Sequence, residues 1–430
     1  MRLPGRLAAA IAVLEDIEAR KRPASEALKG WGLNNRFAGA GDRAAIGNLV
    51  YDGLRRRASH AHAMGEDTPR ALVLSVAVRD WGERVSDLNA AFAEDRFAPA
   101  PITEAEAARL EAEATLADAS DAVRADVPGW TAPGIAANFG GDWVAHGHAM
   151  TARPPLDLRV NRLKADRERV EKSLKRFSPA PTGIAPDGLR LAAGPRDART
   201  PNVTADEGYQ KGWFEIQDEG SQIVARLVGA EPGEQVLDLC AGAGGKTLAM
   251  AAMMQNKGQI FAYDSDRARL APIYDRLKRN GVRNAQTRSP EPGALEDLAG
   301  RMDRVVIDAP CTGTGTWRRR PDAKWKLAED QLAQRVAEQA AILAEGRRFV
   351  KPGGVLAYIT CSILAAENDE QVAAFLESNE EFRLRDARAA WAEAFGEADR
   401  AVFTPGGGIA LSPLTTDTDG FYIALLERKS

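Results

Sequence analysis

The chain has 430 residues, 44% hydrophobic and 27% charged, with a formal net charge of -4. That length holds two or three domains with cores of their own, and the acidic balance excludes a uniformly basic nucleic-acid binder. Three widely spaced cysteines exclude a disulfide framework and fit a reducing cytosol, no cluster has metal-ligand spacing, and no stretch is long and apolar enough to span a membrane.

In chain order, residues 1–130 read as helical. Leu3, Leu7, Ile11, Leu14 and Ile17 recur at spacings of three and four, the stripe of a half-buried helix rather than a signal peptide. Asp42 is expected to cap a second helix carrying Ile46, Leu49, Val50 and Leu54, with Arg55, Arg56 and Arg57 at its end. A third, acidic helix is expected over 102–125. The breaker Ala152-Arg153-Pro154-Pro155 precedes a short alternating strand, Leu156 to Asn161, a helix about 164–177 and a second strand at Leu189-Arg190-Leu191. From about 213 apolar strands alternate with helices, the rhythm of a parallel sheet covered on both faces. The predicted fold is therefore α/β in its last part, 213–430, preceded by a small α+β module at 150–212 and a helical region at 1–145.

Charge is unevenly placed. Residues 1–60 carry 11 Lys/Arg against 6 Asp/Glu, and residues 151–180 carry 9 against 4. Basic segments in an acidic whole suit a polyanion met on one face. The candidate RNA contacts are Arg55–Arg57 on the helical part, Arg162, Lys164 and Arg169 on the module, and Arg318, Arg319, Arg320 and Lys324 just after Cys311.

The chemistry lies in the last part. Val236-Leu237-Asp238 runs into a turn with Gly242, Gly244 and Gly245, and the next strand ends in Asp264, an acid placed to hold ribose hydroxyls. Gly245-Lys246-Thr247 fits the end of a phosphate-binding loop, but Cys240 stands where its first glycine belongs, so a triphosphate site fails. Two further apolar strands end in thiols: Val305 to Asp308 leads to Ala309-Pro310-Cys311, and Val355 to Thr360 leads to Cys361. A thiolate adding to C6 of a pyrimidine makes C5 nucleophilic toward a sulfonium methyl, and a base then removes the C5 proton so that the thiol can leave. Asp308 is placed to hold the ring nitrogen or amine of cytosine. All four histidines precede residue 150, so Cys–His catalysis is excluded downstream. Cys240 reads as a small hydrophobe lining the turn.

These residues resemble the RsmB/NOP (NSUN) family of RNA cytosine-5 methyltransferases. The likeness rests on Arg159-Val160-Asn161, Ile216 to Ser221, Cys240 to Thr247, Asp308 to Gly315, Arg318 to Trp325, Lys351 to Gly354, Tyr358 to Ser362, Glu367-Asn368 and Asp419 to Tyr422. It implies a class I (Rossmann-like) S-adenosylmethionine methyltransferase domain behind a NusB-like RNA-binding domain, with S-adenosylmethionine as the cofactor. It implies Cys361 as nucleophile, with Cys311 assisting release of the adduct. Cofactor contacts are expected from Cys240, Ala241, Gly242, Ala243, Gly244, Gly245, Lys246, Asp264 and Asp308. Two positions depart from the family pattern: Ala243 replaces a proline, and Ser289-Pro290 replaces Gly-Asp. The expected partner is small-subunit (16S) ribosomal RNA in the cytoplasm, with no membrane, metal or obligate protein partner. The alternatives are the same reaction on transfer RNA and a non-catalytic RNA-binding or assembly factor.

Overall fold

The computed structural model describes residues 1–113, 115–396 and 400–430. The first part is helical: Leu3–Arg20, Ala24–Asn34, Ala40–Arg55, Arg57–Met64, Pro69–Ser75, Val85–Glu94 and Glu104–Glu111. The expected stripe supplies its core, with Leu7, Leu14 and Ile17 packed among Ile46, Leu49 and Leu72. Asp42 is not the cap residue; it sits inside the first turn, where its carboxylate accepts from Gly39 N at 3.1 Å and from the chain's amino terminus at 3.0 Å. The acidic third helix stops at Glu111 rather than continuing to 125.

The next helices, Asp121–Arg124, Ala132–Phe139 and Trp143–Ala149, do not share that core. Val127, Ile135 and Phe139 pack on Trp317, Ile363 and Leu364, beside the thiol loops. The expected break at 145 thus falls within a helix, because these short helices bury their apolar side on the catalytic domain.

A four-stranded antiparallel sheet follows: β1 (Leu156–Val160), β2 (Ala180–Pro181), β3 (Gly188–Leu191) and β4 (Phe214–Ile216), in the order β2-β3-β1-β4. It closes with β4, past the expected limit of 212, since Phe214 pairs with Val160. The helix expected over 164–177 is shorter, Arg167–Ser173, and starts where the Asp166 side chain accepts from Arg169 N at 2.8 Å.

The last part is a nine-stranded mixed sheet built from β5 (Gln235–Asp238), β6 (Gln259–Ala262), β7 (Ala285–Thr287), β8 (Met302–Asp308), β9 (Val350–Thr360), β10 (Phe382–Leu384), β11 (Val402–Phe403), β12 (Ile409–Leu411) and β13 (Phe421–Arg428). The order is β11-β12-β13-β9-β8-β5-β6-β7, with β10 also on β13. Strands β7, β6, β5, β8 and β9 are parallel, and β13 is antiparallel to β9. Parallel strands buried on both faces need continuous apolar runs, which is what Val236-Leu237, Val305-Val306-Ile307 and Val355 to Ile359 supply. Burying each such Val, Leu or Ile stabilises the domain by about 1.5–3 kcal/mol. The chain moves from β5 to β6 on one side and returns to β8 on the other. That switch opens a crevice at the strands' carboxyl ends, where ligands bind in open α/β sheets.

Candidate active site

Every chemically marked strand ends in this crevice. The turn after β5 enters helix Gly245–Met253 through Gly244, whose φ of +83° and close approach to Ile273 require glycine. Gly242 N donates to Asp264 Oδ2 at 3.0 Å, and Asp266 N donates to Asp264 Oδ1 at 2.9 Å, so the acid after β6 is fixed against the turn. Asp238, fully buried, accepts from Thr247 Oγ1 at 2.6 Å through one oxygen. Its other oxygen has no partner, and burial pushes its carboxyl up to about 7. The Cys240 thiol is raised by burial and by the nearby Asp238, Asp308 and Asp264.

An open, glycine-lined cradle with two acids and an orphaned buried oxygen at its floor suits a cofactor that presents hydroxyl and amino donors. The residues therefore fit a nucleoside with an amino-acid tail. The Lys246 ammonium, almost buried, donates to Asp308 Oδ2 at 2.6 Å and lies 5.4 Å from the Phe421 ring. Asp308 itself remains 35% exposed to the crevice. The departures from the family pattern are both visible: Ala243 O accepts from Arg276 Nη1 at 2.7 Å, and the Ser289 hydroxyl faces Glu291 at 3.2 Å.

The two thiols meet. Cys311 Sγ lies 3.3 Å from Cys361 Sγ, one after β8 and one after β9, with Asp308 paired to Ile359 across the strands. The hydrogen bond with Cys361, burial and the charge of Glu367 raise the Cys311 thiol, so it stays uncharged near neutral pH.

A polar frame that sequence reasoning did not assign holds both loops. Glu367, fully buried, accepts from Thr312 N at 2.8 Å and from Gln339 Nε2 at 2.9 Å, and Gln339 also donates to Pro310 O at 3.0 Å. Asn368 accepts from Thr360 Oγ1 at 2.6 Å and donates to Ser362 O at 3.0 Å. Gly315 N donates to Cys361 O at 2.9 Å, and its backbone lies against Gly420 so closely that a Cβ would meet Gly420 O at 2.1 Å. The signal available for this frame was buried polar types, Glu and Asn, at the start of a helix directly after a thiol strand.

The basic residues expected on the RNA surface separate into two groups. Arg318 is 1% exposed and donates to Asp419 at 2.5 Å, and Arg319 bridges Asp419 and Asp218. Lys324, also 1% exposed, donates to Arg55 O at 2.8 Å and Asp126 O at 2.6 Å. Arg55 in turn donates to Arg318 O at 2.7 Å and Asp52 at 2.8 Å. Arg318, Lys324 and Arg55 are thus internal struts joining the helical part to the loop after Cys311, not rim cations. Arg56 pairs with Asp80, and Arg57 pairs with Glu18 and Asp67. Arg320, Arg162 and Lys164 are exposed, as expected, and Arg169 lies 4.0 Å from the Trp213 ring. Arg162 faces Asp187 at 3.6 Å, and Lys164 Nζ donates to Lys211 O and Arg279 O. Among the described residues there is no cluster with metal-ligating composition and no helix long and apolar enough to cross a membrane.

Comparison with known proteins agrees with this geometry. Residues 225–427 match the family described as 16S rRNA methyltransferase RsmB/F, and residues 127–196 match the ferredoxin-like domain of RsmF/B-like methyltransferases. The ribosomal RNA small subunit methyltransferase B of Citrobacter koseri is 34% identical over 325 residues, covering 74% of this chain and 70% of that protein. The probable ribosomal RNA small subunit methyltransferase B of Synechocystis is 34% identical over 280 residues, covering 64% of this chain and 60% of its own length. The chain spans about three fifths of the length of the first such relatives, 60% and 57%. A solved methyltransferase homologue from Pyrococcus horikoshii superposes with a TM-score of 0.58 at 26% identity, over 72% of this chain and 97% of its own. Carrying that sheet, that crevice and relatives matched over most of their length, the chain belongs to the RsmB/F family of 16S rRNA methyltransferases.

Proposed function

We propose that this protein transfers a methyl group to C5 of a cytosine in 16S ribosomal RNA, in the cytoplasm, through a covalent cysteine adduct. One observation carries the reading: two thiols 3.3 Å apart, at the ends of adjacent central strands, beside the cofactor turn and Asp308. When bound, S-adenosylmethionine supplies an electrophilic methyl on sulfur.

The chain's residues do the rest. Gly242, Gly244 and Asp264 seat the cofactor, Asp264 accepting from the ribose. Asp308, paired with Lys246, accepts from the cytosine amine and orients the ring. Cys361 Sγ forms a bond to C6, and the electron pair displaced from the C5=C6 bond makes C5 the nucleophile. Once C5 carries the methyl, a base takes the C5 proton, the double bond re-forms and the C6–S bond breaks. Cys311 serves this second half. Its sulfur, 3.3 Å from the nucleophile, is near enough to act on the adduct that Cys361 forms. The target base must leave its stack to enter the crevice, which favours an unpaired cytosine in a loop.

Cys311→Ala supplies the test. Incubated with rRNA fragment and S-adenosylmethionine, it should accumulate a protein–RNA adduct that survives a denaturing gel. An adduct from Cys361→Ala instead would reverse the two roles. Bisulfite sequencing of rRNA from a deletion strain identifies the base, and a change confined to transfer RNA would move the substrate.

A further inference from the structure

A second cavity, of about 410 Å³, lies between the small module and the catalytic domain. Its walls include Ala252 and Met253, at the far end of helix Gly245–Met253 from the cofactor turn, and Ala390 of helix Ala387–Phe395. It is thus separate from the thiol crevice.

Its inner wall carries Arg159 of β1, only 5% exposed. Arg159 Nε donates to Gln217 Oε1 at 2.6 Å, but its Nη2 is buried with no hydrogen-bond partner, and among the described residues it makes no ion pair. Burial lowers its pKa only to about 10, so it remains a cation at neutral pH. A buried donor left without a partner costs free energy that a ligand oxygen would recover. Arg162, Arg226 and Arg385 line the same cavity. Asp187 and Glu393 touch two of them only at 3.6 and 3.9 Å. A free guanidinium donor suits a phosphate oxygen, and flanking arginines match its charge.

We propose that this cavity is a phosphate-binding site, with Arg159 as the buried ligand and Arg226 and Arg385 toward its mouth. The phosphate is either a free phosphate group or one in the backbone of the RNA. The inference stands apart from the thiol chemistry, so the failure of either leaves the other intact.

Calorimetric titration of the full chain with inorganic phosphate, in phosphate-free buffer, tests it. We expect one saturable site, unchanged by saturating S-adenosylhomocysteine and weakened at least tenfold by Arg159→Met. Loss of the phosphate signal on adding an rRNA stem-loop would assign the site to the RNA backbone. Persistence of the signal would assign it to a free phosphate. No saturable binding, or equal binding by Arg159→Met, overturns the proposal. If that variant does not fold, crystals of the unaltered protein grown without phosphate and soaked in tungstate decide the matter. Density beside Arg159 supports the site, and an empty cavity overturns it.

Discussion

The strand ends after β8 and β9 and the arginine-rich segment that follows Cys311 are neighbours in the fold, yet they treat polar groups in opposite ways. At the strand ends, reactive groups are left partly open: the two thiols face one another and Asp308 keeps an exposed edge. In that segment, Arg318 and Lys324 are sealed and held by carboxylates or carbonyls. A run of arginines in a sequence therefore does not distinguish a binding cation from a strut; burial and partners do. Chemistry is expected where polar groups remain unspent, and stability where they are saturated.

The largest effect expected from this contrast is at the open end. Cys361→Ala should reduce methyl transfer by about a thousandfold or more while cofactor binding persists, as is usual when a nucleophile is removed. Normal turnover in a radiolabelled methyl-transfer assay would sink the contrast outright.

The sealed loop should respond in stability instead. Arg318→Met leaves Asp419 and Asp218 with one fewer partner, and breaking a buried pair in this way costs about 3–5 kcal/mol. Urea unfolding would reveal it, and a variant as stable as the parent that only loses RNA affinity would restore the rim-cation reading. Lys324 adds a pH signature. Burial depresses its pKa to about 8, below the ordinary lysine value of 10.5. The native state therefore holds this proton less readily than the unfolded chain does. The resulting penalty is complete below pH 8 and is relieved as pH rises from 8 toward 10.5. The stability difference between the parent and Lys324→Met should shift in the parent's favour across that window. A difference that stays flat from pH 7 to 10 would show that the ammonium is not desolvated.

A smaller effect is expected at the cofactor cradle. Asp264→Ala should weaken S-adenosylmethionine binding by about 1–3 kcal/mol, the cost of leaving a hydroxyl pair unmet. Calorimetry that found ATP binding equally well would revive a phosphate-loop reading. Smallest of all, Arg320→Gln, at the one exposed position of the triplet, should lower the slope of log affinity against log salt by about 0.7, one phosphate contact on a single strand. No change in slope would leave the loop without any RNA contact.

The fold of the catalytic domain was legible because buried parallel strands have no polar face to disguise them: Val305 to Ile307 and Val355 to Ile359 read directly as strands, and Cys311 and Cys361 fall at their ends. Long-range matching was not. Nothing in the periodicity of 121–149 says that Phe139 will rest near Ile363, or that Phe214 will complete the small sheet. The carboxylates that neutralise Arg318 lie 100 residues before it, at Asp218, and 101 after it, at Asp419, and no local pattern announces such a pairing.

The adjacency of β8 and β9 has a consequence for protein engineering. Neighbouring strands of any sheet run about 4.8 Å apart, so the sheet itself acts as a ruler that sets two side chains at neighbouring strand ends within touching range. The sheet sets the two loops side by side, and the bonds from Thr312 N to Glu367 and from Gly315 N to Cys361 O then hold the sulfurs together. A two-thiol device of this kind should be transplantable to another doubly wound sheet, provided that the graft includes a buried glutamate equivalent to Glu367 to hold the outgoing loop.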